Sequence, residues 1–407
     1  GEDVDKRTLS VDKFWEENIL NTESNVSFGE GGAGTFSDGK LNTMVKDKSG
    51  RNNEVLKTLV EFNAPKDILT DPKPHIGTDL LKGIIKNIRE EIIKLGGEVR
   101  FSSKLEDINY KEGYLHSIKL NNGEILDCEV LVLAIGHSAR DTFELLYEKK
   151  LNIEAKSFAV GLRVQHPQSM INISQYGKEA ADILPTASYK LTTKSSAARG
   201  VYSFCMCPGG YVVNASTEKG GLAINGMSYH DRKSESANSA IIVTVDAKEF
   251  ADETPLAGMY LQRELESKCY KAGNSYIPVQ LLGDFIKGRE SMEFGETKPC
   301  FKGKYTFSRL DKILPDFIVA ALKEAFAAFD KKIEGFARED AILAAIESRT
   351  SSPIRIVRDE NLEASIRGIY PSGEGAGYAG GISSAAMDGL KVAEAIISKY
   401  NSSLINS

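Results

Sequence analysis

Val130-Leu131-Val132-Leu133-Ala134-Ile135-Gly136 is an apolar run without alternation. A strand with one wet face alternates apolar and polar residues, so an unbroken run predicts a strand covered on both faces, as in a parallel sheet. Just upstream, β-type stretches at Glu98–Ser102, Leu105–Tyr110, Tyr114–Leu120 and Glu124–Asp127 are divided by Lys111-Glu112-Gly113 and Asn121-Asn122-Gly123. These read as a β-meander feeding the strand. Before them, Leu80, Leu81, Ile84, Ile85, Ile88, Ile92 and Ile93 recur at helical spacing, with Thr78 as N-cap and Gly96-Gly97 as the stop. A looser helical pattern occupies residues 3–20.

Downstream the texture changes. Residues 157–300 carry many Ser and Thr, alternating stretches at Phe158–Val164 and Tyr211–Ala215, and a turn-rich Cys205–Gly210, which together predict a separate, mostly β unit. Helical spacing returns at Pro315–Phe329 and at Asp340–Ile346. A short strand near Ile366–Tyr370, a glycine cluster at Gly373–Gly381 and a helix from Ile382 to about Lys399 close the chain.

At 407 residues the chain is long enough for two domains. Its 41% hydrophobic and 27% charged residues exclude a disordered chain. A net charge of −6 gives no global attraction for nucleic acid or an anionic membrane, which leaves small molecules as the expected partners. No apolar run approaches the ~20 residues of a membrane span, and the start Gly-Glu-Asp-Val-Asp-Lys-Arg lacks the order of a secretory signal, so a cytoplasmic location is expected. Five scattered cysteines do not make a disulfide framework, and five separated histidines give no zinc spacing, so no metal is expected. Oligomeric state is not readable.

Two stretches satisfy the dinucleotide pattern G-x-G-x-x-G: Gly29, Gly31 and Gly34, then Gly375, Gly377 and Gly380. The pattern has its usual meaning only between a buried strand and a helix. The first follows only Val26-Ser27-Phe28 and precedes a polar segment. The second lies between strand and helix, but too few residues follow it to open a nucleotide fold; it can close one, offering backbone N–H groups to a phosphate. Gly34–Lys40 also has the spacing of a phosphate loop, but Leu41 stands where the magnesium-binding hydroxyl belongs, which argues against ATP or GTP hydrolysis.

Several long segments occur in one order. They are Phe28–Leu41, Lys73–Asp79, Ala134-Ile135-Gly136-His137-Ser138-Ala139-Arg140-Asp141, Tyr202–Gly210 with Cys205-Met206-Cys207-Pro208-Gly209-Gly210, Arg349-Thr350-Ser351-Ser352-Pro353, and Gly373–Gly381. In this arrangement the chain resembles flavoproteins of the glutathione-reductase type, most closely the bacterial family of uncharacterised FAD-dependent dehydrogenases, the NAD(P)/FAD-dependent oxidoreductases. The resemblance implies an α/β protein: a Rossmann-like FAD-binding domain with a β-meander, formed by residues 1–156 and 337–407, and an inserted β-rich α+β substrate domain over 157–336. It implies FAD as cofactor, NAD(P)H as a candidate electron donor, and FAD contacts from Gly31, Gly32, Ala33, Gly34, Ser37, Asp38 and Lys40. Further contacts are implied at Ala134, Ile135 and Gly136, where Ile135 replaces the family's usual Thr, and at Arg349, Ser351, Ser352 and Pro353. The last set is Gly373, Glu374, Gly375, Gly377, Tyr378, Ala379, Gly380 and Gly381, with Glu374 in the place of the Asp that binds ribityl or ribose hydroxyls. Such flavoproteins open with a strand, a G-x-G-x-x-G turn, a helix and a second strand; by the resemblance Gly1 falls just after that βαβ unit, and the FAD-binding domain is expected to be incomplete at its N-terminus.

A flavin carries the electron chemistry, so few catalytic side chains are needed. The candidates are His137, which follows the apolar strand where α/β sheets place ligands; Lys40, beside Asp38; and Cys205 with Cys207 as a redox pair, against which stands the strain of a ring closed across one residue. The expected function is an FAD-dependent oxidoreductase passing hydride through the flavin to or from a small molecule. The alternative is a non-catalytic FAD- or nucleotide-binding module that requires a further N-terminal segment.

Overall fold

A computed structural model of the chain describes residues 1–43, 45–250 and 254–405. It begins with helices α1 (Val4–Glu17), α2 (Arg51–Glu61) and α3 (Thr78–Lys94), then the strands β1 (Leu105–Lys111), β2 (Tyr114–Leu120), β3 (Ile125–Asp127) and β4 (Leu131–Leu133), helix α4 (Arg140–Glu148) and β5 (Ile153–Ala155). Next come β6 (Phe158–Pro167), α5 (Gln168–Tyr176), β7 (Thr192–Lys194), β8 (Gly200–Cys207), β9 (Tyr211–Asn214), β10 (Ile224–Met227), β11 (Ser236–Val245) and α6 (Ala257–Ala272). They are followed by β12 (Ile277–Leu281), α7 (Leu282–Lys287), β13 (Phe301–Lys302), β14 (Tyr305–Phe307), α8 (Asp316–Asp330) and β15 (Ile342–Glu347). The chain ends on β16 (Ile354–Ile356), β17 (Ile369–Pro371) and α9 (Ile382–Ile405).

A seven-stranded sheet in the order β14-β12-β15-β6-β11-β8-β7 forms the largest layer. Alternation along β6 is real, but both of its faces are buried. Phe158, Val160, Leu162 and Val164 join the apolar core beneath α8, whose Ile318, Leu322, Ala325, Phe326 and Phe329 fill it. The opposite face carries Gly161, Arg163 and Gln165, and a smaller sheet, β10-β9-β13, lies over it: a side chain at Gly226 of β10 would strike the Arg163 guanidinium. On the far side of that small sheet, Val213, Ala215 and Met227 pack with Phe14, Trp15 and Phe36 from the start of the chain. Trp15 Nε1 donates to the Asn214 carbonyl at 2.9 Å, so an indole that must be buried keeps a partner.

Several expectations are corrected. Asp340–Ile346 is not a helix: residues 342–347 form β15, which pairs with β6 and β12, because six consecutive buried residues suit an inner strand whatever their spacing. The large sheet therefore includes one strand, β15, from beyond residue 336. Glu98–Ser102 is not a strand, and the meander contains β1, β2 and β3 alone. Thr78 is the first residue of α3 rather than its cap, and its hydroxyl donates to the Ser37 carbonyl at 2.8 Å. The run at 130–136 yields only β4, paired in parallel with β17 and with Val132 43% exposed, so it is not covered on both faces among the described residues. Cys205 and Cys207 lie within β8, and the turn begins after them.

Among the described residues no helix is long and apolar enough to cross a membrane.

Candidate functional site

Residues 373–383 link two other segments far away in sequence, touching the chain after β4 at one end and the first glycine cluster at the other. The chain leaving β4 runs through Gly136, whose backbone lies so close to Gly375 that a Cβ on Gly375 would sit 2.4 Å from the Gly136 oxygen. Glycine at 375 is therefore required by the crossing itself. From the first cluster, Gly34 abuts Ile382 at the start of α9, and Ser383 Oγ donates to the Leu41 carbonyl at 2.7 Å. Around this junction Gly32, Gly136, Gly380 and Gly381 have open space where a side chain would project, so the walls are backbone. Gly32 and Gly136 also hold φ of 62° and 69°, a region that disfavours other residues.

Beside the junction His137 Nδ1 lies 2.8 Å from Glu374 Oε1, while the buried Nε2 has no partner. Burial alone would raise the Glu374 carboxyl, but the His137 ring and Lys156 hold it below its usual value. An ionised carboxylate at Nδ1 keeps the proton there and leaves Nε2 as an acceptor.

Asp38 and Lys40 go elsewhere. Asp38, 1% exposed, receives Arg232 Nη2 at 2.6 Å, Lys40 Nζ at 2.9 Å and the Ser228 hydroxyl. Burial opposes its charge, and the two cations hold the carboxyl well below the carboxylate range. Lys40 also donates to the Met206 carbonyl of β8, and Asp38 keeps its ammonium protonated against burial. Behind it, Arg163 is fully buried: Nε meets Glu347 at 2.9 Å, Nη1 meets Asn238 Oδ1 at 2.8 Å and the Cys205 carbonyl at 3.1 Å, and Nη2 meets Asn225 at 3.2 Å. The two sheets thus enclose a polar seam ending at Cys205 and Cys207.

The other candidate residues are placed as follows. Arg349 is engaged by Glu266 on two nitrogens and by Thr217 and Ser138, which leaves its guanidinium little freedom for a ligand. Ser352 Oγ donates to Gly375 O at 3.3 Å, tying the 349–353 segment to the glycine loop, and Pro353 packs near Gly258. Ser37 closes its own turn, donating to Gly34 O and accepting from Gly39 N, and Ala33 starts a short 3₁₀ turn. Tyr378 stacks on Arg358 at 3.7 Å and donates to the Ile356 carbonyl, while the Gly373 N–H donates to Asp388. Gly31 faces Thr35, Gly377 crosses residues 354–355, Ala379 and Ser351 are half-buried, Ala134 is exposed and Ile135 packs on the small core around β4. The junction therefore gathers Gly32, Gly34, Gly136, His137, Glu374, Gly375, Gly380 and Gly381, whereas Asp38, Lys40, Cys205 and Cys207 form a second group in the seam.

Sequence reasoning missed Arg163, Glu347, Glu266 and Arg140. The available signal was a charge inside an apolar strand, Gly161-Leu162-Arg163-Val164, which a strand tolerates only with a buried partner. Among the described residues no group of His, Cys, Asp and Glu could hold a metal. Two surface clefts, of about 580 and 660 Å³, share no residue with either group.

Residues 157–350 match the family described as FAD-dependent protein, C-terminal domain-like. An uncharacterized protein of Clostridium beijerinckii is 56% identical over 406 residues, covering 98% of this chain and 76% of that protein. Among solved structures, an oxidoreductase from Methanosarcina mazei is similar at 12% identity over 78% of this chain and 54% of that one, with a TM-score of 0.32. The quinol fumarate reductase FrdA of E. coli gives 14%, 83%, 53% and 0.32. The chain thus spans about half the length of these two structures.

Proposed function

We propose, for a chain that belongs to the same family as the Clostridium beijerinckii protein and matches an FAD-dependent C-terminal domain over 157–350, an FAD-dependent oxidoreductase acting on a small organic molecule. The observation that carries this reading is the glycine-walled junction of residues 29–41, 134–137 and 373–383, with open space at Gly32, Gly136, Gly380 and Gly381. Such walls suit a flat, phosphate-bearing cofactor, because backbone can approach it where side chains would not. FAD, when bound, supplies the hydride chemistry. The first turn of α9 offers N–H groups that a helix leaves without intrahelical partners, suited to a pyrophosphate. Glu374 orients His137, and Nε2 is the atom at which this chain would hold or release a proton. NAD(P)H is the electron donor proposed for the cycle.

A second reading, a flavin-binding module completed by another βαβ unit, is favoured by one observation: β4 pairs only with β17 among the described residues, and Val132 is exposed. A parallel strand with a free edge is a place for another strand to add.

Titration of this chain with FAD, followed by visible absorption and flavin fluorescence, tests both readings. Binding by the chain alone supports the first. Binding only after addition of the residues of the Clostridium beijerinckii relative outside the matched span supports the second; binding by neither rejects the flavin assignment.

A further inference from the structure

Strand β8 is interrupted where it carries its two cysteines. Its pairing with β11 runs from Val201↔Val243 to Phe204↔Ala240, then skips and resumes at Cys207↔Asn238, so Cys205 and Met206 bulge opposite Ser239. Cys205 has φ 43°, a left-handed conformation that neighbours must hold in place. Those neighbours are visible: Arg163 Nη1 donates to the Cys205 carbonyl and Lys40 Nζ to that of Met206. Cys207 folds back, with Sγ 3.3 Å from the Cys205 carbonyl oxygen. The bulge breaks the regular alternation of side chains along β8, and the fold-back sets the Cys207 thiol against the Cys205 residue. The charged groups facing them are Lys40 and Arg163, with Asp38 and Glu347 behind, and Arg232 on Asp38.

We propose that Cys205 and Cys207 form a dithiol centre oxidised by a hydroperoxide, with Cys205 the attacking thiolate and Cys207 the resolving thiol. The asymmetry has a physical cause. The adjoining Cys207 thiol, with Lys40 and Arg163 nearby, draws the Cys205 thiol down to about 5 against its burial, whereas Cys205 beside it and burial push Cys207 up. In the first step Cys205 Sγ attacks the peroxide: an S–O bond forms, the O–O bond breaks, and the departing alkoxide or hydroxide takes the proton that Cys205 had released. In the second, Cys207 Sγ attacks the sulfenic sulfur: S–S forms, S–O breaks, and the departing hydroxide leaves as water with the Cys207 proton. Two thiols and one hydroperoxide thus become a disulfide, an alcohol or water, and a second water. A disulfide across a single residue closes a strained ring, so the closed form is readily reduced by a small thiol.

The test uses the full chain without added flavin, which makes it independent of the flavin reading. The tryptic peptide 200–219 contains both cysteines and no other. After stoichiometric hydrogen peroxide and then N-ethylmaleimide, this peptide is expected to lose two hydrogens and take up no maleimide, to recover both on treatment with dithiothreitol, and in Cys207→Ser to form a dimedone adduct at Cys205. Oxidation of Cys128 or Cys300 while 200–219 stays doubly alkylated overturns the proposal. In the unmutated protein, iodoacetamide alkylation of Cys205 is expected to follow a midpoint about 5 and, at pH 7, to run at least tenfold faster than that of Cys300. A midpoint near the ordinary thiol value of about 8.5 also overturns it.

Discussion

The seven-stranded sheet and the β4–β17 pair solve opposite problems. In the sheet, β6 and β11 are ten residues long, nearly every residue is buried, and the apolar face and the Arg163–Glu347 face are both covered. The β4–β17 pair has three residues in each strand and leaves Val132 43% exposed. Stability is thus concentrated away from the glycine-walled junction, which hangs on turns, backbone crossings and single hydrogen bonds. Regions that bind ligands are drawn from the less stable end of a structure, which is where the proposed flavin site lies.

Glu266 is the point at which the comparison can be broken. Fully buried on α6, it receives Arg140 of α4 at 2.7 and 2.9 Å and Arg349 at 2.6 and 2.9 Å, joining the segment after β4 to the large sheet's side. Glu266→Ala strands buried guanidinium groups and is expected to cost about 3–5 kcal/mol in a denaturant titration. Burial opposes ionisation of Glu266, yet the two arginines hold its carboxyl far below the usual range. Its folded value is depressed, so this contribution is complete above the unfolded value of about 4.3 and is lost as pH falls below it. Wild-type stability should therefore decline below about pH 4 more steeply than that of Glu266→Gln.

The next effect sharpens the contrast within the sheet. Ile241 is fully buried on β11, and Ile241→Ala is expected to cost about 2–5 kcal/mol, measured the same way, without moving FAD affinity. The smallest effect belongs to the pair: Val132→Thr on β4 should change stability by no more than about 0.5 kcal/mol, because half its surface is already wet. Equal losses at Ile241 and Val132 would erase the distinction between the two regions.

Periodicity made α1, α3, α8 and α9 legible, and turn residues divided the meander, because each pattern is set within a few residues. The strand at 342–347 was misread since Ile342-Leu343-Ala344-Ala345-Ile346 is apolar throughout, and a fully buried strand and a helix then look alike. Of the candidate site, Gly136, His137, Glu374 and Gly375 were all singled out from the sequence, but that they lie together was not, and Asp38 and Lys40 were grouped with the cofactor contacts although they reach the seam at Cys205. Nothing local indicates which sheet a charged loop residue will reach.

The sequence by itself determined where backbone must bend and where it must be buried: glycine at Gly136 and Gly377 for positive φ, apolar alternation along Phe158–Val164, and polar turns at 111–113 and 121–123. Only the tertiary structure decided which buried charges meet. Arg163 finds Glu347 across 184 positions, Arg140 finds Glu266 across 126, and His137 finds Glu374 across 237. The physical reason is that conformational preference and hydrophobic pattern act over one or two turns of chain, while the cost of burying an unpaired charge is settled by whichever partner the folded topology brings within about 3 Å.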